Sequence, residues 1–74
     1  MNRVKESILT EREFEIMQLL VKGYSNYKIA ETLVISIHTV KAHIESIYRK
    51  LQVHNKVQAA IRAYSLNLID INEY

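Results

Sequence analysis

The chain has 74 residues, a net charge of +2 and no cysteine. A chain of this length can build one small domain with a thin core, which argues against an enzyme with a deep pocket. The sequence has no cysteines for a disulfide framework or a cysteine-based zinc site, and no apolar run long enough for a membrane span or a secretory signal. We therefore expect a cytoplasmic protein that is not an enzyme.

Four helices with short connections are predicted in chain order, because strand-like alternation is not sustained anywhere. A polar residue suited to cap a helix N-terminus precedes each of them, and these predicted N-caps are Thr10, Ser25, Ser36 and Asn55. Glu13 completes a capping box for the first helix, which Gly23 ends. Residues 34–35 form a tight connection between the second and third helices. The fourth helix runs from Lys56 to about residue 66, and Asn67 can end it in the left-handed conformation.

The third helix has a narrow apolar stripe on one side and a mixed polar face on the other. At ~100° per residue, the stripe falls within about 60° and consists of Val40, Ile44, Ile47 and Leu51. The opposite side carries His38, Lys41, Ala42, Glu45 and Arg49. The second helix is short and close, and its Ala30 is small enough to allow a tight approach. Two such helices predict a helix-turn-helix, whose second helix enters the DNA major groove.

The positive charge is concentrated in the middle of the chain. Residues 22–62 contain seven Lys and Arg residues against two Glu residues, whereas the segments on either side are net negative. A concentrated basic surface indicates a polyanionic partner, although a solvated charged surface would give the same count.

The longest motifs resemble a known family. They are LTEREFEI (residues 9–16), GYSNYKIAETL (23–33), ISIHTVKAHIESIYRKL (35–51) and VHNKVQAAIRA (53–63). With these motifs in this order, the chain resembles the LuxR/NarL/FixJ-type DNA-binding domain, in a stand-alone form similar to GerE. The resemblance implies an all-α four-helix bundle with a central helix-turn-helix. It also implies sequence-specific binding of double-stranded DNA, transcription regulation, and a homodimer through the fourth helix. Because each domain alone is small, formation of the dimer only on DNA is left open.

Three residues depart from the family pattern. Lys28 stands where an acidic residue is usual, so the capping box of the second helix is lost, and Lys56 replaces an arginine, which weakens any bidentate contact there. Asn67 replaces a glycine. None of these changes an apolar position. We expect an N-terminal arm at residues 1–8, the DNA-binding domain at residues 9–69 and a tail at residues 70–74.

The expected site residues divide into three groups. Those facing base edges are Lys41, Ala42, Glu45 and His38. Those on the flanking phosphates are Ser25, Asn26, Lys28, Thr39, Arg49 and Lys50. Those in the dimer interface are Val57, Ile61 and Tyr64. By resemblance to the family, the residues of the fourth helix that face the core are Lys56, Ala59, Ala60 and Ala63.

Two other functions would use some of the same residues. A helical protein-interaction module would suit Tyr24, Tyr27 and Tyr48, but its binding face would be apolar where the third helix is polar. A metal site is not expected, because His38 and His43 are five residues apart and point ~140° away from each other. The sequence also indicates no small-molecule cofactor and no membrane partner.

Overall fold

The computed structural model describes residues 8–69, which form four α-helices joined by short turns and contain no strand. The helices are α1 (Glu11–Val21), α2 (Asn26–Leu33), α3 (Ile37–Leu51) and α4 (Lys56–Ser65). This confirms the predicted all-α fold. The expected tail and all but the last residue of the expected arm lie outside the described residues. Each of the helices in residues 8–69 is too short or too polar to traverse a lipid bilayer.

All four predicted N-caps begin their helices. The Thr10 hydroxyl accepts a hydrogen bond from the Glu13 amide at 3.0 Å, and the Glu13 carboxylate accepts one from the Thr10 amide at 3.0 Å, which completes the capping box. The other three caps accept from the third residue of their helices and are Ser25, Ser36 and Asn55. Each cap satisfies an amide that the helix itself leaves unpaired.

All four helices end in the same way, with one residue in the left-handed conformation. These residues are Gly23, Val34, Gln52 and Asn67, with φ between 58° and 98°. The amide that follows each of them donates to the carbonyl five residues before it, as from Tyr24 to Leu19 at 3.1 Å. The pattern is the Schellman motif. Gly23 and Asn67 were predicted to end helices, whereas Val34 and Gln52 were not.

The core lies around α3, which packs against the other three helices. The predicted stripe is fully confirmed, since Val40, Ile44, Ile47 and Leu51 are all buried. Apolar residues from every other helix, and Leu9 before α1, complete the core; the helical ones include Ile16, Met17, Leu20, Ile29, Ala30, Ala59 and Ala63.

The implied inner face of α4 needs one correction. Ala59 and Ala63 are buried, but Ala60 is only half-buried and Lys56 is exposed. Lys56 is the first residue of α4, and side chains in a helix lean towards its N-terminus. Its side chain therefore extends past the end of the helix and does not enter the core.

Candidate nucleic-acid interface

The second and third helices form a helix-turn-helix held by a three-residue turn. The turn consists of Val34, Ile35 and Ser36. The Ile35 amide donates to the Ala30 carbonyl at 3.0 Å, which closes the end of α2. The Ser36 hydroxyl accepts from the Thr39 amide at 3.0 Å, which starts α3. The turn therefore connects the end of one helix directly to the N-cap of the next.

The outward face of α3 is polar and open to solvent. The four residues predicted to face bases, His38, Lys41, Ala42 and Glu45, are all exposed. Lys41 and Glu45 lie four residues apart, yet no ion pair joins them; the ion pairs within residues 8–69 involve other side chains. Both charged groups are therefore available to an external partner.

The predicted phosphate residues near the N-termini of α2 and α3 differ in exposure. Ser25 and Lys28 are exposed, while Asn26 and Thr39 are half-buried. The Lys28 ammonium lies 3.7 Å from the Glu31 carboxylate, with both side chains more than half exposed. Such an exposed pair contributes only a few tenths of a kcal/mol, so a phosphate can displace it easily.

The two basic residues in the last turn of α3 have different surroundings. Arg49 is exposed, and its guanidinium makes only a long hydrogen bond of 3.5 Å to the Ser46 hydroxyl. Lys50 is exposed as well, but its ammonium lies 2.8 Å from the Glu13 carboxylate of α1. No sequence pattern predicts this pair, because 37 residues separate the two.

Glu13 is the one buried charged residue among those that the structure describes, with 5% of its surface exposed. Burial alone would raise the pKa of its carboxyl, but hydrogen bonds from Lys50, the Thr10 amide and Ser46 outweigh burial and lower the pKa to about 2. The carboxylate is therefore charged at every physiological pH.

The last turn of α3 is also capped from α4. The Arg62 guanidinium donates to the Leu51 carbonyl at 2.7 Å. A cation at a helix C-terminus is favourable, because the helix dipole leaves partial negative charge there. This contact was also missed, although an arginine in the fourth helix could have suggested a partner at the end of the third.

The fourth helix presents an apolar face to solvent. Val57, Ile61 and Tyr64 are 69%, 64% and 51% exposed. These are the three residues that were predicted for a dimer interface. Within residues 8–69, no three His, Asp or Glu side chains come together in a group that could hold a metal ion.

The helix-turn-helix and the polar outward face of α3 define a DNA-binding regulator. Residues 7–63 match the family model of GerE, described as bacterial regulatory proteins of the luxR family. The chain therefore belongs to the luxR family, as the sequence motifs indicated. Its function class is DNA-binding transcription regulation, and the family relationship points to a regulator rather than an enzyme.

Individual relatives support this assignment. The chain is 48% identical over 73 residues to the response regulator protein VraR of Staphylococcus saprophyticus, with 92% of this chain and 35% of that protein covered. The VraR proteins of Staphylococcus aureus and Staphylococcus epidermidis match equally well. The crystal structure of the response regulator ChrA from a heme-sensing two-component system superposes with a TM-score of 0.80 at 39% identity, over 89% of this chain and 36% of ChrA. The chain thus spans about a third of the length of these relatives.

Proposed function

We propose that α3 enters the DNA major groove and that Lys41, Ala42, Glu45 and His38 read base edges there. The observation that carries the proposal is the division of α3 into a fully buried stripe and an exposed polar face. The stripe attaches the helix to the domain, and the exposed face is left for a partner. A protein-interaction module would instead expose apolar side chains at these positions.

The charges on this face suit bases better than phosphates. A lysine ammonium only donates, which matches the O6 and N7 acceptors of guanine, and a carboxylate only accepts, which matches the amino group of cytosine. The small Ala42 leaves room for a thymine methyl group. Glu45 would be unfavourable on a face that merely clamped phosphates, since its charge repels them.

Basic and polar residues on either side are proposed to hold the phosphates. Ser25, Asn26 and Lys28 stand at the N-terminus of α2, where free amides and the helix dipole favour an anion. Thr39 lies beside the outward face of α3, and Arg49 lies on that face in the last turn of the helix. Lys50 was predicted to belong to this group, but its ammonium is paired with the Glu13 carboxylate.

The regulator is proposed to bind as a homodimer through α4, because a single domain leaves the apolar residues Val57, Ile61 and Tyr64 uncovered. A symmetric contact between two copies of α4 would cover them and set the spacing of two DNA half-sites. The named relatives are response regulators about three times as long. We further propose that this chain performs the DNA-binding part of such a regulator.

A binding-site selection at fixed salt tests the base-reading face. Lys41→Ala should weaken the preferred site by roughly 1–3 kcal/mol and relax discrimination at one base pair. Glu45→Ala should change the preferred base while leaving non-specific affinity equal or slightly higher, because a negative charge near the phosphates is gone.

Lys28→Ala is the matched control for Lys41→Ala. It removes the same charge from an exposed position that is proposed to touch only phosphate. Its binding should weaken on all sequences alike, with the preferred sequence unchanged. If wild type, Lys41→Ala and Glu45→Ala select identical sequences, the base-reading role is excluded.

A further inference from the structure

A buried carboxylate connects the start of α1 with the last turns of α3. One oxygen of Glu13 accepts from the Thr10 amide at 3.0 Å and from the Lys50 ammonium at 2.8 Å. The other oxygen accepts from the Ser46 hydroxyl at 2.7 Å. Two of these three donors belong to α3, so Glu13 fixes α3 at two points one turn apart.

Lys50 lies on a different side of α3 from the base-facing residues. With Val40 at zero, the helix wheel puts Lys41 at ~100°, Glu45 at ~140° and Lys50 at ~280°. Ser46, at ~240°, shares the flank of Lys50, and both bind Glu13. The ammonium of Lys50 is therefore directed towards α1, about half a turn away from Lys41.

A DNA phosphate that drew the Lys50 ammonium away from Glu13 would leave the carboxylate without its counter-ion. Glu13 is buried, with 5% of its surface exposed, and its carboxylate would then keep only uncharged donors. Leaving a buried charge without its counter-ion is strongly unfavourable, and a phosphate drawn close would add like-charge repulsion. Arg49 faces no such competition, since within residues 8–69 no carboxylate pairs with it and its guanidinium reaches the hydroxyl of Ser46 at 3.5 Å.

We infer that Lys50 is an internal anchor and not a phosphate contact, and that Glu13, as its partner, is a positioning residue that fixes the rotation of α3. The inference rests on the proposed function, because it concerns how the base-reading face is aimed. Base contacts require an accurately oriented helix, whereas contacts to the regular phosphate backbone tolerate small rotations. Loss of the anchor should therefore reduce specificity more than general affinity.

The experiment compares Lys50→Met, Lys50→Arg and Arg49→Met with wild type. Binding to the selected duplex and to an unrelated duplex is measured by fluorescence anisotropy over a range of salt, with circular dichroism to verify folding. Lys50→Met should leave the slope of log affinity against log salt unchanged on both duplexes. It should lower the ratio of specific to non-specific affinity roughly tenfold, the effect of losing about one base contact.

Two controls separate the anchor from a phosphate contact. Lys50→Arg keeps a cation that can reach the carboxylate, so it should restore most of the specificity ratio. Arg49→Met should lower the salt slope by about one unit, as expected for a lost phosphate contact. If the slope of log affinity against log salt is about one unit smaller for Lys50→Met than for wild type, the inference is overturned.

Glu13→Gln covers the case in which Lys50→Met does not fold. The amide keeps the size of the side chain but removes its charge, so the specificity ratio should fall here as well. An unchanged ratio in this variant would overturn the inference. If wild type shows no sequence preference at all, the proposed function fails, and the slope of Lys50→Met on unrelated DNA still decides whether Lys50 holds a phosphate.

Discussion

Val34 is in an unfavourable conformation for its residue type. It ends α2 with φ 58° and ψ 50°, the left-handed region, which costs a residue with a Cβ about 1–2 kcal/mol and is rare for a β-branched one. Its side chain is 87% exposed, so packing does not compensate for the strain. At the corresponding place in α1, the chain uses Gly23, which has no Cβ and adopts φ 98° without strain.

Replacing Val34 by a residue that tolerates this conformation should stabilise the domain. Val34→Asn should raise the free energy of unfolding by about 0.5–1 kcal/mol, because asparagine enters the left-handed region more easily. For a domain of this size, that is a rise of a few degrees in Tm. Val34→Ala keeps a Cβ and is the matched control, with a smaller gain expected. Equal Tm values for wild type and Val34→Asn would show that the turn stores no strain.

At the scale of the elements, the Glu13 carboxylate couples α1 to α3, and the hydrogen bonds that it accepts from Lys50, the Thr10 amide and Ser46 should make stability depend on pH. The folded pKa of Glu13 is about 2 against an ordinary value of 4.5. A depressed carboxyl pKa contributes stability that is fully present above the ordinary value and is lost as the pH falls through the folded value. The charged carboxylate contributes about 2–3 kcal/mol to the free energy of unfolding. This range is already reduced for solvent screening, because the Lys50 side chain is 34% exposed.

Urea unfolding at several pH values measures this contribution. The free energy of unfolding of wild type should exceed that of Glu13→Gln at neutral pH, and this difference should be lost between about pH 4.5 and pH 2. Protonation of Glu13 in this range removes the charge that the variant already lacks. Glu11→Gln, an exposed carboxyl on the same helix, controls for the loss of one negative charge. A stability difference between wild type and Glu13→Gln that stays constant down to pH 2 would contradict the assigned role of the pair.

The contacts that sequence predicts are local, and those it misses join different helices. N-caps such as Thr10 and Ser36 were predicted because a cap and its amide lie three residues apart. The stripe of α3 was predicted because its spacing repeats with the helix. The Glu13–Lys50 pair and the bond from Arg62 to the Leu51 carbonyl depend on how the helices dock, which no local pattern contains. For the same reason Glu13 was recognised as half of a capping box, but its contact with α3 was not.

The left-handed residues show a second limit of local patterns. Gly23 and Asn67 could be predicted, because their residue types favour this conformation. Val34 and Gln52 have no such preference, and the packing of the helices on either side imposes it. The predicted base-facing residues are all exposed, whereas two of the predicted phosphate residues, Asn26 and Thr39, are half-buried. Their DNA contacts stay predictions.

At the scale of the whole molecule, the exposed face of α4 holds three of the five large apolar side chains that are exposed within residues 8–69. Its three side chains, Val57, Ile61 and Tyr64, follow the i, i+4, i+7 spacing of a single helix face. Burying one such aliphatic side chain contributes about 1.5–3 kcal/mol, and a two-fold contact counts every residue twice. A contact of this size is weak for free domains but sufficient to link two copies that DNA already holds side by side.

Ile61→Glu should therefore separate the binding of one domain from the binding of two. On DNA with two half-sites, the wild-type footprint should cover both. Inserting about five base pairs between the half-sites should abolish the cooperativity, because the half-sites then face opposite sides of the duplex. Ile61→Glu should bind a single half-site as wild type does but lose at least tenfold affinity for the double site, since a charge would be buried in the dimer contact. Thr32→Glu adds the same charge to an exposed position on α2 and should leave cooperativity intact. If wild type protects only one half-site and Ile61→Glu changes nothing, α4 is not a dimer interface and its apolar face must contact something other than a second copy.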